Sequence, residues 1–101
     1  MSRDAEVSKQ FWARVLNEVP LVVRRRASHY LDNVKKVSEN KWIVWGSQGV
    51  QYIIKSNFEE GRVMCTCPYF TEGKGYCKHI AAVSVNELFK LDFPSLKKRI
   101  K

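Results

Sequence analysis

Apolar residues recur at three- and four-residue steps in the first part of the chain, which is the pattern of an amphipathic helix. This pattern predicts a helix over residues 4–18. Its apolar stripe consists of Val7, Phe11, Trp12, Val15, Leu16 and Val19. Pro20 ends or kinks the helix, because the residue before a proline avoids helical backbone angles. We expect the stripe to pack in the core, and a partner-docking surface built on Phe11, Trp12 and Val15 stays open as the alternative.

A second apolar stripe predicts a shorter helix that begins at Pro20 or Leu21 and ends near Asn33. Its expected buried face consists of Val23, Ala27, Tyr30 and Leu31. From residue 34 onward the sequence becomes rich in β-branched and aromatic residues, which favour strands. We therefore predict four short strands, over residues 34–38, 41–47, 50–56 and 62–66.

A last helix is predicted over residues 76–90, with small and apolar residues facing the sheet. These residues are Ile80, Ala81, Ser84, Val85 and Leu88. The order of elements predicts an α+β fold with two N-terminal helices, an antiparallel sheet of three or four strands and a C-terminal helix. We expect residues 1–33 to pack as a helical segment on the same core as a domain over residues 34–93. Residues 94–101 form a basic tail.

The chain has 101 residues, of which 45% are apolar and 28% charged. This composition is ordinary for a globular protein with one modest core. No apolar run approaches the roughly 20 residues that span a bilayer, and the first residues lack the apolar core of a signal peptide. We expect a cytoplasmic protein, or a nuclear one in a eukaryote.

All three cysteines and one of the two histidines lie in a short stretch of the chain. Cys65, Cys67, Cys77 and His79 form the pattern C-x-C-x9-C-x-H. Each close pair places two ligands, and a loop with Gly73 and Gly75 joins the pairs. Three thiolates and one imidazole suit zinc better than oxygen-loving cations. Four protein ligands fill a tetrahedral site, so we expect one structural zinc per chain.

Two other uses of these residues fit the sequence less well. An odd number of cysteines does not make a disulfide framework. A nucleophilic Cys–His pair would leave Cys65 and Cys67 without a role. The second histidine, His29, is expected to be a surface or half-buried residue.

The strings C-T-C-P-Y and C-K-H-I-A-A closely resemble the SWIM zinc finger, in which an alanine often follows the histidine by three residues, as Ala82 does here. The resemblance covers about residues 27–90 and is most specific across the Cys/His motif. It implies a ββα zinc finger, with the metal stapling the C-terminal helix, that contacts DNA or proteins. It does not imply an enzyme.

Lysine and arginine outnumber aspartate and glutamate by 18 to 10, which gives a formal net charge of +8. With zinc bound to three thiolates the charge becomes about +7. Clustered cations are typical of phosphate contact, although such clusters are often only solvated surface. The candidate contacts are Arg24, Arg25, Arg26, Lys35, Lys36, Lys74, Lys78, Lys97, Lys98, Arg99 and Lys101.

Two functions follow from these features. The first is DNA binding or assembly of complexes on DNA, with weak and sequence-tolerant contacts. The alternative is an adaptor with little DNA binding of its own, because SWIM proteins of recombination-accessory complexes, which pair with recombinase-like ATPases, resemble this chain in the motif. We expect no enzymatic activity and no small-molecule substrate. The sequence has no motif of paired carboxylates, no nucleotide loop and no metal site with an open position.

Overall fold

The computed structural model describes residues 2–92, and the side chains of residues 7–46 and 48–90 within them. The predicted basic tail, with Lys97, Lys98, Arg99 and Lys101, lies outside the described residues. The first helix, α1, runs over Ser2–Glu18, and Val19 and Pro20 follow it as predicted. Among the described helices, none is both long and apolar enough to cross a membrane.

The second predicted helix is two elements. An α-helix, α2, covers Leu21–Arg26, and a 3₁₀ helix continues over Ala27–Asn33. The Ser28 hydroxyl donates a hydrogen bond to the Arg25 carbonyl oxygen at 2.9 Å, and this local bond competes with regular α-helical pairing. Of the predicted buried face, Ala27 is buried and Val23, Tyr30 and Leu31 are half-buried. The apolar periodicity therefore predicted the inward face but not the helix type.

Four antiparallel strands form one sheet in the order β1-β2-β3-β4. The strands are β1 (Val34–Ser38), β2 (Lys41–Trp45), β3 (Gln51–Asn57) and β4 (Arg62–Cys65). Their bounds agree with the prediction to within two residues. A short 3₁₀ turn, Ser47–Gly49, connects β2 to β3. Each strand pairs with the next along the chain, so the whole sheet is a meander.

Two helices complete the described chain. A helix of one turn, α3, covers Pro68–Thr71 and was not predicted. The C-terminal helix, α4, runs over Lys78–Asp92. The α+β prediction is confirmed, with α1, α2 and a 3₁₀ helix before a four-stranded sheet and a helix after the Cys/His motif.

The core lies between one face of the sheet, called the inner face below, and helices α1 and α4. Trp12 from α1 meets Trp42 from β2 edge to face, with ring centroids 5.2 Å apart. Ile54 and Ile80 are fully buried in the same cluster. Aromatic pairs of this geometry add to the free energy of burial. The sheet and α1 are therefore fixed against each other by large buried side chains.

Helix α4 is buried on more sides than its sequence pattern suggested. Ala81 and Ala82 are fully buried with Val19 and Ala27, as expected for small residues at a close helix contact. Val83 is also fully buried, whereas Val85, which was predicted to face the sheet, is only half-buried. The reason is that α4 packs against α1, α2 and the 3₁₀ helix as well as the sheet.

Candidate metal centre

The first ligand pair lies at the end of the sheet. Cys65 is the last residue of β4 and pairs with Ile54 of β3. Cys67 follows two residues later in an extended conformation, so both thiols point to the same side of the chain. Cys67 then starts α3, with Pro68 in the first helical position, where a proline costs nothing because its missing N–H has no partner there. That proline is the signal from which α3 could have been predicted.

The second ligand pair lies at the start of α4. Cys77 directly precedes the helix, and its carbonyl oxygen accepts a hydrogen bond from the Ala81 N–H at 3.0 Å. His79 lies in the first turn. The loop that connects the two pairs turns at Gly73 (φ 84°) and Gly75 (φ 109°), backbone conformations that favour glycine. A helix N-terminus is a favourable place for a metal centre with net negative charge.

The four ligand atoms converge. The Sγ atoms of Cys65, Cys67 and Cys77 and a ring nitrogen of His79 all lie within 4.8 Å of one another, and all four residues are buried. His79 Nδ1 lies 3.8 Å from Cys65 Sγ and 3.7 Å from Cys77 Sγ. A sulfur and a nitrogen bound to one tetrahedral zinc lie about 3.6 Å apart. The distances therefore fit a zinc ion held by these four residues.

The electrostatics of the three thiols also favour a cation. Burial raises the pKa of Cys67, and the hydrogen bond with Cys77, together with burial, raises the pKa of Cys65. The same hydrogen bond lowers the pKa of Cys77 to about 4 against the effect of burial, and His79 and the Ile80 N–H add to it. Without a metal the cluster stabilises one thiolate only. A divalent cation supplies the charge that lets all three ionise.

Residues 61–86 match the family model of the SWIM zinc finger. This stretch of the chain is therefore similar to the SWIM zinc finger. The match covers β4, α3 and the first part of α4, whereas strands β1–β3 lie outside it, although the resemblance seen in the sequence began near residue 27. No curated protein and no solved structure matches the chain. The SWIM-like motif and the convergent ligands together support one structural zinc at this site.

Aromatic rings surround the histidine of the metal centre. The His79 ring stacks on Tyr52 of β3 with centroids 4.2 Å apart and an interplanar angle of 22°, and Tyr30 meets it edge-on at 5.0 Å. The buried Nε2 atom has no hydrogen-bond partner in the described chain. Histidines that bind metals usually donate this second N–H to an acceptor. In this protein the contacts with Tyr52 and Tyr30 orient the His79 ring instead. These contacts were not predicted from the sequence.

The strand pattern could have predicted that Tyr52 lies near the metal ligands. Tyr52 lies two residues before Ile54, on the same face of β3, and Ile54 is the register partner of Cys65. A tyrosine at this position therefore lies near the ligands. His29 is exposed and does not belong to the cluster, as expected.

The predicted nucleic-acid contacts that the structure describes do not form one surface. Several of these cations have partners within the chain, and Lys35 and Lys36 point to opposite faces of β1. Arg24 Nε donates to the Val19 carbonyl oxygen at 3.0 Å, and Lys36 Nζ lies 3.8 Å from Glu87. Lys74 pairs with Glu72 at 3.5 Å.

The other four predicted contacts within the described residues fall into two groups. Arg25 and Lys35 are exposed. Arg26 and Lys78 line a cavity of about 170 Å³ beside Cys67, Cys77 and His79. Of the predicted cations that lie in residues 2–92, the structure therefore brings Arg26 and Lys78 to the metal centre.

The predicted docking residues on α1 are in the core. Phe11, Trp12 and Val15 are 8%, 1% and 0% exposed, so they are not available to a partner. Val7, which the sequence placed in the same stripe, is 60% exposed. The docking hypothesis for these residues is wrong because α1 packs them against the inner face of the sheet and α4.

Proposed function

We propose that this chain binds DNA, or helps to assemble complexes on DNA, with zinc as a structural scaffold. The observation that carries the proposal is a pair of cations, Arg26 and Lys78, beside the metal centre, with Arg25 next to Arg26 in the chain. Arg25 is exposed, Arg26 and Lys78 line the adjoining cavity, and none of them forms an ion pair with a described residue. Unpaired cations next to one another attract phosphate groups.

Zinc supports this function through the fold. Four protein ligands leave no coordination position open, so the ion would act as a staple and not as a catalyst. The staple fixes the start of α4, where Lys78 lies between two ligands. It also fixes α3 against β4. The proposal therefore makes DNA affinity dependent on zinc without giving the ion any contact with DNA.

The contacts would read the phosphate backbone and not the bases. Lys78 Nζ lies 5.2 Å from the ring centroid of Tyr30, which holds the cation close to the 3₁₀ helix. Arg25 and Arg26 extend from the last turn of α2. Contacts of this kind position DNA and carry no sequence information directly. We therefore expect the affinity to vary little with DNA sequence.

A salt titration tests the proposal. DNA affinity of the zinc-loaded chain should be measurable at about 50 mM salt and fall linearly on a log–log plot as salt rises. Replacing Arg25 and Arg26 by Gln should weaken binding to all sequences equally and reduce the slope by up to about two. Lys74→Gln is the control, because Lys74 is paired with Glu72. An absence of binding at about 50 mM salt would contradict DNA binding.

The adaptor function remains a second candidate, for one reason. Leu21 and Val22 at the start of α2 are 56% and 61% exposed, and exposed apolar neighbours can form part of a protein interface. Such an interface would tolerate moderate salt, because its centre is apolar. Complexes of this chain with a protein partner should then survive moderate salt and nuclease treatment. Their loss in the variant with Leu21→Ser and Val22→Ser would favour the adaptor.

A further inference from the structure

The sheet has a second face, called the outer face here, which points away from the core. Ile43, Trp45 and Ile53 lie on it half-buried, and they belong neither to the buried cluster around Trp12 and Trp42 nor to the one around Val19 and Ala27. Met64 of β4 lies on the same face and is 56% exposed. The register Ile43↔Ile53 brings two of these residues side by side. A contiguous apolar surface is therefore open to a partner.

The charges on the strands all have one sign. The four strands contain five basic residues and no acidic residue. Alternation places Lys35, Lys41 and Lys55 on the outer face, and Lys41 and Lys55 are direct register partners on β2 and β3. Like charges directly opposite each other destabilise a sheet. None of the three forms an ion pair within the described chain.

A groove of about 510 Å³ runs across this face. Lys41 and Lys55 line it together with Ile53, Met64 and Phe70. The groove thus combines cations with an apolar and aromatic floor. Trp45 lies four residues from Lys41 on β2, which is about 13 Å along a strand. This distance is long enough for a few nucleotides.

The positive charge of the outer face determines which kind of partner can bind there. A second copy of the chain would bring the same three lysines against each other. Residues 93–101 contain four basic residues and no acidic residue, so they do not complement the face either. The occupant is therefore an anion with flat apolar groups. In a duplex the bases are stacked inside, whereas a single strand offers phosphates and bare bases together.

We propose that the outer face binds single-stranded DNA, with phosphates on Lys35, Lys41 and Lys55 and a base on Trp45. The inference rests on the proposed DNA binding and deepens it by naming the form of DNA. Lysines that face each other without an acidic partner cost the sheet stability, and an incoming phosphate chain removes that repulsion.

The test uses the full chain loaded with zinc, fluorescein-labelled oligo(dT) and a duplex of the same length, with fluorescence polarisation at about 50 mM salt. The variants are Lys41→Gln with Lys55→Gln, and Trp45→Ala. Arg25→Gln with Arg26→Gln is the matched control, because it removes the same charge from a different surface. Zinc content and thermal melts check the fold, and the lysine variant should melt no lower than the parent because a repulsion is removed.

We expect the parent to bind the single strand more tightly than the duplex. Trp45→Ala should weaken single-strand binding about tenfold or more, which is typical of losing a stacked base. Lys41→Gln with Lys55→Gln should weaken single-strand binding and make the slope of log affinity against log salt shallower by about 1.4. The control should weaken single strand and duplex alike.

Two other outcomes are distinguishable. If the lysine and Trp45 variants bind oligo(dT) like the parent while the control is weakened, the outer-face proposal is overturned and DNA binding stands. If the parent binds neither probe, DNA binding itself fails and the proposal fails with it. An acidic protein is then the remaining kind of partner for this face.

Discussion

The imidazole of His79 lies flat against the ring of Tyr52, with centroids 4.2 Å apart. This stack joins the metal centre to the middle of the sheet, because Tyr52 belongs to β3 and His79 to α4. It leaves Nδ1 facing the sulfurs of Cys65 and Cys77. In the described chain no hydrogen bond to Nε2 shares this task. The orientation of the histidine thus depends on aromatic packing.

Replacing Tyr52 by Leu should therefore weaken zinc binding while all four ligands stay in place. Outer residues that orient a ligand typically contribute about 10- to 100-fold to metal affinity. Competition against a chromogenic chelator measures the change. Tyr52→Phe is the control, since it keeps the ring and should bind zinc like the parent. A Leu variant with unchanged zinc affinity would show that the stack does not position His79.

A buried carboxylate on α4 gives a second prediction. Glu87 is 8% exposed, accepts a hydrogen bond from Trp42 Nε1 at 3.1 Å, and lies 3.3 Å from Lys90 Nζ. Glu87→Ala would leave the indole N–H buried without a partner, which costs about 1–3 kcal/mol. Urea unfolding with zinc present should show that loss. Glu87→Gln retains an acceptor and should lose less, and equal losses would mean that the charge and not the hydrogen bond matters.

The core position of Trp12 gives a third prediction. Trp12→Ala should lower the free energy of unfolding by about 3–5 kcal/mol, as large core truncations do. Val7→Ala on the same helix should change it by less than about 0.5 kcal/mol, because Val7 is exposed. Thermal or urea unfolding distinguishes the two variants. A Trp12→Ala variant as stable as the parent would contradict its place in the core.

Most of the fold followed from the sequence, because each element has its own local signal. The period of the apolar residues predicts the stripe on α1 and the strands, and the spacing of the cysteines and the histidine predicts the metal ligands. The predictions failed where contacts between distant parts of the chain determine which residues are buried or adjacent. No local rule distinguishes Glu87 on α4 from a solvated helix residue, since its burial depends on Trp42 from β2. Likewise Lys41 and Lys55 are each ordinary, and only the strand register makes them neighbours.

Acid should release the metal and unfold the finger together. Zinc binds thiolates and neutral imidazole, so protons compete with it increasingly as the pH falls. In an acid titration, zinc release followed with a fluorescent indicator should coincide with the loss of helical circular dichroism. Helical signal that persists well below the pH of zinc release would mean that zinc does not hold α4 in place.

Cys65, Cys67, Cys77 and His79 are placed to bind one zinc ion that stabilises the fold. Native mass spectrometry of the protein purified without chelators tests this claim most directly, with Cys77→Ser as the comparison. We predict one zinc ion per parent chain, and in the Cys77→Ser variant little bound zinc and the broad, high charge states of an unfolded chain. A parent chain without zinc, or a variant that is as compact and as fully loaded as the parent, would contradict the claim.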